Sequence, residues 1–273
     1  MTYTNAHRLF VQASMSERFF TEAKAIDMYT KACSANNGSC FSQEFDLPAP
    51  EEFQEFISTI NQKLNLVDME FRRSHDEDDG NPVWALVNTN GDEIAKLATE
   101  YSPAEISYFK RLIELIVTAD DDAFSASSIM ALKEASKIKT QLSKSAAEIL
   151  LQRFVDDKWL VQSQSGKYSM SQRTILELQA YLKDEFEEYL IECTLCYDIV
   201  TKGQRCDVLE CKSRFHHHCA RRFFSSQNEK VCPACKIAWK SSNIVGEPLR
   251  ISEGSSRRNK RAIPEDDDDD LYQ

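Results

Sequence analysis

Residues 193–235 read CTLCYDIVTKGQRCDVLECKSRFHHHCARRFFSSQNEKVCPAC, which sets Cys193, Cys196, Cys206, Cys211, His216, Cys219, Cys232 and Cys235 in the order C-x2-C-x9-C-x4-C-x4-H-x2-C-x12-C-x2-C. Eight soft or borderline ligands in four pairs suit two tetrahedral sites of four protein donors each, and closed sites of that kind are structural zinc sites. A module built round two Zn2+ ions with no open coordination position recognises other molecules and performs no chemistry on the metal. Few large apolar residues surround the ligands, so zinc must supply most of the folding energy. Two pairings satisfy the order. A sequential one joins the first pair to the second and the third to the fourth, giving two independent beads. An interleaved one gives Cys193, Cys196, His216 and Cys219 to one ion and Cys206, Cys211, Cys232 and Cys235 to the other. Ligand types alone allow both. Of the consecutive His216, His217 and His218, only His216 leaves two residues before Cys219, the spacing that lets two side chains converge on one metal.

The rest of the chain supplies the setting. It has 273 residues, a formal charge of -11 and 42% hydrophobic residues, enough for two or three modest domains. No apolar run approaches the ~20 residues of a membrane span, and Met1-Thr2-Tyr3 does not open a basic region followed by an apolar stretch. The expectation is a soluble intracellular protein with no membrane contact. Disulfides fit poorly with an odd count of nine cysteines and a reducing compartment. Cys33 and Cys40 read as ordinary reduced thiols.

Upstream, two units of similar pattern precede the cysteines. The first carries Leu9, Phe10, Phe19, Phe20, Ala23, Ile26 and Tyr29, with a break expected at the polar stretch Ser34 to Ser39. Pro50 opens a helix whose Phe53, Phe56, Ile57, Ile60 and Leu64 form one stripe. Leu66 to Phe71 and Val83 to Val87 then read as strands flanking an acidic tip, Asp76 to Gly80. Helices ending in a hairpin are the outline of a winged helix. The second unit repeats it. Ser102-Pro103-Ala104-Glu105 is a capping box ahead of Ile106, Phe109, Leu112, Ile113 and Ile116. Ser145-Ala146-Ala147-Glu148 reads as another, ahead of Ile149, Leu150, Phe154 and Val155; Trp159 to Gln162 and Lys167 to Met170 then flank Ser165-Gly166 as a wing. One further helix with Ile175, Leu178, Leu182, Phe186, Tyr189 and Leu190 is expected to run to the first ligand as a strut.

The fold class expected is therefore α+β, mainly helical. Two tandem winged-helix-like domains, 1–100 and 101–190, precede a zinc domain at 191–240 and a disordered charged tail at 241–273. That tail contains the basic Arg257 to Arg261 and the acidic run Asp266 to Asp270, blocks that are usually solvated.

Two such units ahead of a C4HC3 series with C-T-L-C, an H-x2-C step, V-C-P-A-C and Trp239 four residues on resemble the non-SMC element 1 family, subunits of the structural maintenance of chromosomes 5-6 complex. The resemblance covers about residues 1–240. It implies the interleaved, cross-braced pairing of a RING variant, with Leu195, Pro233 and Trp239 beside the ligands. It further implies a nuclear, chromosomal protein that pairs with a MAGE-domain subunit and a kleisin subunit and serves DNA repair by homologous recombination. The implied activity is that of a RING-type ubiquitin transferase stimulated by the MAGE partner.

Such a ligase has no nucleophile of its own. It docks a ubiquitin-conjugating enzyme and holds the thioester ready for attack, so its contribution is positioning. Leu195, Pro233 and Trp239 are the expected docking residues. Lys236 follows the last cysteine where RING ligases often carry an arginine, and a lysine lacks the planar fork of donors. Weak intrinsic activity is the expectation. Two alternatives use the same residues: a non-catalytic scaffold, or a PHD-like reader, against which stands Lys230 two residues before the last cysteine pair, where such fingers place an aromatic. Direct DNA contact is a third. From Ala123 to Arg173 eight basic residues (Lys133, Lys137, Lys139, Lys144, Arg153, Lys158, Lys167, Arg173) outweigh four acidic ones, a local balance of +4 on a phosphate-facing helix and wing.

Overall fold

The computed structural model describes residues 2–37, 50–89, 100–138, 142–227 and 229–247. Its first unit contains α1 (Asn5–Ser16), β1 (Phe19–Thr21), α2 (Glu22–Asn37), α3 (Pro50–Leu64), β2 (Met69–His75) and β3 (Pro82–Asn88). The second contains α4 (Pro103–Val117), β4 (Ala126–Ser127), α5 (Ser128–Ala135), α6 (Lys144–Asp156), β5 (Leu160–Gln162) and β6 (Lys167–Met170). Both follow helix, strand, helix, helix, hairpin, and both sheets put the last strand in the middle, β1-β3-β2 and β4-β6-β5, all antiparallel. They are tandem winged helices. Among the described residues no helix is long and apolar enough to cross a membrane.

The first core is built on Phe10, fully buried and edge-on to Phe20, Phe53, Phe56 and Phe71. The pair Phe19-Phe20, read among the apolar residues of the first unit's helical part, lies in β1, where β-favouring aromatics pair with Ala85 and Trp84 of β3. Thr21 then starts α2 by accepting from the Lys24 amide. That helix runs through Ser34 to Asn37, past its expected break, and within it Thr30 and Ser34 return their hydroxyls to the carbonyls of Ile26 and Thr30. Leu66 and Val67, expected in a strand, form an exposed 3-10 turn closed by Asp68 at φ 55°. The strand begins at Met69, held to α3 by the Asn61 side chain, which bonds both the N–H and the C=O of Phe71.

In the second unit Ser102 and Glu105 form the capping box read from the sequence, and Phe109, Leu112, Ile113 and Ile116 are buried. The cap of α6 is Ser143, not Ser145: its hydroxyl accepts from the Ala146 amide at 3.1 Å. In that frame Ile149, expected on the apolar stripe, faces out. The expected single strut is two short helices, α7 (Gln172–Glu177) and α8 (Gln179–Glu185), broken at Leu178, and Tyr189 beyond them is exposed. Neighbouring side chains there serve different cores. Leu176 packs on Val83, Ala85 and Val87, the outer face of β3, whereas Leu178 and Leu182 join the second unit. Since Trp84 and Leu86 fill the first core from the other face, β3 is buried on both sides and joins the two winged helices.

The cysteine module adds β7 (Gly203–Arg205), β8 (Arg214–Phe215), α9 (His217–Ser225) and β9 (Ile244–Val245) in a sheet ordered β8-β7-β9. Its core is continuous with that of the second winged helix. Because β9 pairs with β7, ordered structure continues through Glu247, beyond the boundary expected at 240. Cys40, Lys139, Arg257 to Arg261 and Asp266 to Asp270 lie outside the described residues.

Candidate metal centre

Two backbone knuckles of the same shape present the C-x2-C pairs. In one the Tyr197 amide donates to the Cys193 carbonyl and the Cys193 amide to the Asp198 carbonyl; in the other Lys236 donates to Cys232 and Cys232 to Ile237. Tyr197 at φ 63° and Lys236 at φ 62° occupy equivalent left-handed positions that turn both thiols inward.

The eight side chains gather as Cys193, Cys196, His216, Cys219 and as Cys206, Cys211, Cys232, Cys235, with the donor atoms of each set within 4.8 Å of one another. This is the interleaved grouping, and the sequential one is not what the chain builds. Sγ separations are 3.4 Å for Cys206 to Cys235 and 3.7 Å for Cys211 to Cys232. A tetrahedron with metal–sulfur bonds of about 2.3 Å has edges of roughly 3.8 Å, so the spacing and the donor types fit zinc. In the first set thiol hydrogen bonds from Cys196 and Cys219 hold Cys193 far below the ordinary thiol range, while those with Cys193 and Cys196 push Cys219 far above it. In the second, burial raises Cys206 to about 12. Such groups ionise together only around a cation.

His216 sits at the N-terminus of α9 with Nδ1 3.3 Å from the Cys196 Sγ and 3.9 Å from the Cys219 Sγ. Its Nε2 faces outward, 3.0 Å from the Ile199 carbonyl and 3.3 Å from a Glu77 carboxylate oxygen, the arrangement of a ligating ring whose other nitrogen is held by acceptors. His218 stacks on the His216 ring and lies beside His75; burial, then the His216 and His75 charges, lower its pKa to about 4. His217 and His218 are absent from both donor sets.

The module's apolar centre is Phe215, Phe224 and Trp239, with Phe223 against the first two. Trp239 is 7% exposed and donates its indole N–H to Gln204, so this residue, expected on a docking patch, belongs to the core. Leu195 and Pro233 are half-buried, and the exposed Lys236 ammonium turns back onto the Pro233 carbonyl at 2.8 Å. Tyr197 and Ile237, which the sequence reading did not single out, are the exposed apolar residues of the knuckles. The sheet tolerates no side chain at 203, where a Cβ would meet the Phe215 carbonyl oxygen at 2.1 Å. Gly203→Ala is expected to destabilise the module by about 1–3 kcal/mol, measured as faster loss of metal to a chelator.

Each winged helix reaches the module through a carboxylate. Glu77, from the acidic tip, accepts from the amides of Thr201 and Lys202, and Lys202 pairs with Asp78. Asp122 accepts from the buried Arg214 at 3.0 Å and offers its carbonyl to the Gly246 amide; Arg214 also donates to the Cys211 carbonyl. No local pattern announces these contacts, whose partners lie 92 and 124 residues away.

The basic stretch of the second unit is partly neutralised. Lys137 pairs with Glu134, Arg153 with Asp157, and Arg173 with Glu177 while lying over the Trp159 ring. Among the described residues, Lys133, Lys144, Lys158 and Lys167 form no ion pair and are exposed.

Comparison with known proteins agrees with this architecture. Residues 7–178 match the family model described as the Nse1 non-SMC component of the SMC5-6 complex, and residues 193–235 match a RING-like domain. Curated relatives named non-structural maintenance of chromosomes element 1 homolog are 30% identical in Bos taurus, over 94% of this chain and 93% of the relative, and 30% identical in Homo sapiens, over 95% and 94%. The Schizosaccharomyces pombe relative is 29% identical over 71% of this chain and 79% of its own length. A solved chain described as "Nse1-Nse3-Nse4 complex" superposes with a TM-score of 0.74 at 26% identity, covering 88% of this chain and 98% of that one.

Proposed function

Because this chain belongs to the Nse1 family, the non-SMC component of the SMC5-6 complex, we propose that it acts there as a RING-type ubiquitin ligase subunit holding two Zn2+ ions. Its proposed partners are the Nse3 and Nse4 subunits, the MAGE-domain and kleisin proteins, and its proposed setting is the nuclear chromosome during repair by homologous recombination. The observation that carries this reading is the interleaved grouping of the eight donors within a RING-like match. The residues Cys193, Cys196, His216 and Cys219 would hold one ion and Cys206, Cys211, Cys232 and Cys235 the other; bound zinc supplies folding energy and no reaction step.

Seven of the nine cysteines lie in the donor sets, which leaves the module positioning as its means of catalysis. A charged conjugating enzyme would dock on Leu195 and Pro233, with Tyr197 and Ile237 exposed on the same two knuckles. Lys236 offers a single ammonium already bonded to its own loop, which supports weak activity of the isolated chain and reliance on the MAGE partner. Leu195→Ala is expected to slow ubiquitin discharge in the reconstituted complex roughly tenfold, equivalent to about 1.4 kcal/mol of lost docking, with both zinc ions and assembly retained. Trp239→Ala does not test docking, since removing this buried ring would open a core cavity.

A scaffold role is the second reading, favoured by the cementing of the module to both winged helices through Glu77 and Asp122. Discharge at the wild-type rate by an assembled, zinc-replete Leu195→Ala complex would decide for it. Contact with DNA is proposed through the complex, with the second winged helix contributing. The wing tip of the first is already seated on the zinc module.

A further inference from the structure

We propose that Glu77 is the positioning carboxylate of the first zinc site and that it makes the wing of the first winged helix a latch closed by that metal. The proposal rests on the zinc reading above. Glu77 is 3% exposed, and both its oxygens are occupied by groups of the module. Oε1 accepts from the Thr201 amide at 2.7 Å and the Lys202 amide at 3.2 Å and lies 3.3 Å from the His216 Nε2; Oε2 accepts from the Thr201 hydroxyl at 2.5 Å. A carboxylate buried to this extent persists only where donors replace its lost water, and all of these donors come from the segment that frames the metal.

The lever runs in both directions. Glu77 and the Ile199 carbonyl together hold the outer nitrogen of His216, and that fixes which nitrogen faces the thiolates. In return, the loop at 199–202 presents its two amides to Glu77 only while His216 and the Cys193 knuckle hold it in place. The fit is close on the other side of the tip as well. Gly80, at φ 78°, lies so near the His218 ring that a Cβ there would stand 2.7 Å from the His218 Cβ. Lys202 pairs with Asp78, which leaves Glu77 to the amides, the hydroxyl and the ring.

The test uses the full-length protein. Zinc is counted by native mass spectrometry, its release to excess chelator is followed with a colorimetric indicator, and amide hydrogen exchange is measured over residues 69–88. In Glu77→Gln one of the two ions is expected to leave about 10-fold faster, at the low end of the effect of such outer carboxylates. The other ion leaves at the wild-type rate, and exchange at residues 76–80 rises. Thr201→Val, which removes the hydroxyl and keeps both amides, gives a smaller acceleration of the same ion. Should Glu77→Gln fail to fold, the wild type carries the test: removing its zinc raises exchange at 76–80 before the rest of the first winged helix opens. Two zinc ions with wild-type release and exchange in Glu77→Gln overturn the role of Glu77 and leave the zinc reading standing. A wild-type protein that holds no zinc overturns both.

Discussion

Removing the two proposed zinc ions with a strong chelator is expected to unfold residues 191–247 while the first winged helix stays folded. Structural zinc contributes on the order of 10–16 kcal/mol of apparent binding energy to small metal-built modules. The module's own apolar centre, Phe215, Phe224 and Trp239 with Ile199, Val200 and Val245, is too small to replace that. Without a cation, the buried thiols of each set cannot share their charge. Cys232→Ala should act in the same direction: zinc content falls from two ions to one, and the second site opens around three thiols. The three tryptophans read the outcome part by part, because Trp84 lies in the first winged helix, Trp159 in the second and Trp239 in the module. In variants that keep one tryptophan each and carry Phe at the other two positions to limit the cavity, Trp239 emission should shift to that of an exposed indole on chelation, Trp159 should melt at lower temperature, and Trp84 should respond least, each against the same variant before chelation. Unchanged Trp239 emission in metal-free protein would refute a zinc-built module.

Phe10→Ala is expected to destabilise the first winged helix by about 3–5 kcal/mol, the range for deleting a buried aromatic ring. Phe10 is fully buried at the meeting point of α1, β1, α3 and β2, and its edge-on contacts with four phenylalanines add to the area it buries. Chemical denaturation followed through Trp84 should show the midpoint falling with little change in slope. A loss below about 1 kcal/mol would mean that the surrounding rings collapse into the space.

The ligand order was legible because metal chemistry imposes spacing within a short segment, and the Ser102 capping box because its two partners sit three residues apart. The first hairpin was legible because β3 is apolar from Val83 to Val87 and follows an acidic turn. What the sequence concealed was set by distant packing. Phe19-Phe20 has too few residues to show a strand period, and only its pairing with β3 makes it β1. Ser145 with Glu148 has the form of a capping box, and only the buried face of α6 moves the cap to Ser143. Ile175, Leu178 and Leu182 do share one core, as their stripe reads, but nothing local marks the break at Leu178 or sends Leu176 to the outer face of β3. Trp239 carries no mark separating a docking residue from a core residue in a domain this small. Glu77 sits in an acidic hairpin tip with nothing local to distinguish it, and its donors lie more than a hundred residues away.

The seating of the module on both winged helices, through Glu77 on one side and Asp122 on the other, has a consequence for any ubiquitin it helps to transfer. A RING on a loose tether sweeps a volume, and what it modifies is decided by encounter. Here the knuckles face one bearing relative to β3 and the second core, so a docked thioester would point along a fixed line from the complex. The choice of lysine would then be a matter of reach and angle, set by the geometry of the assembly.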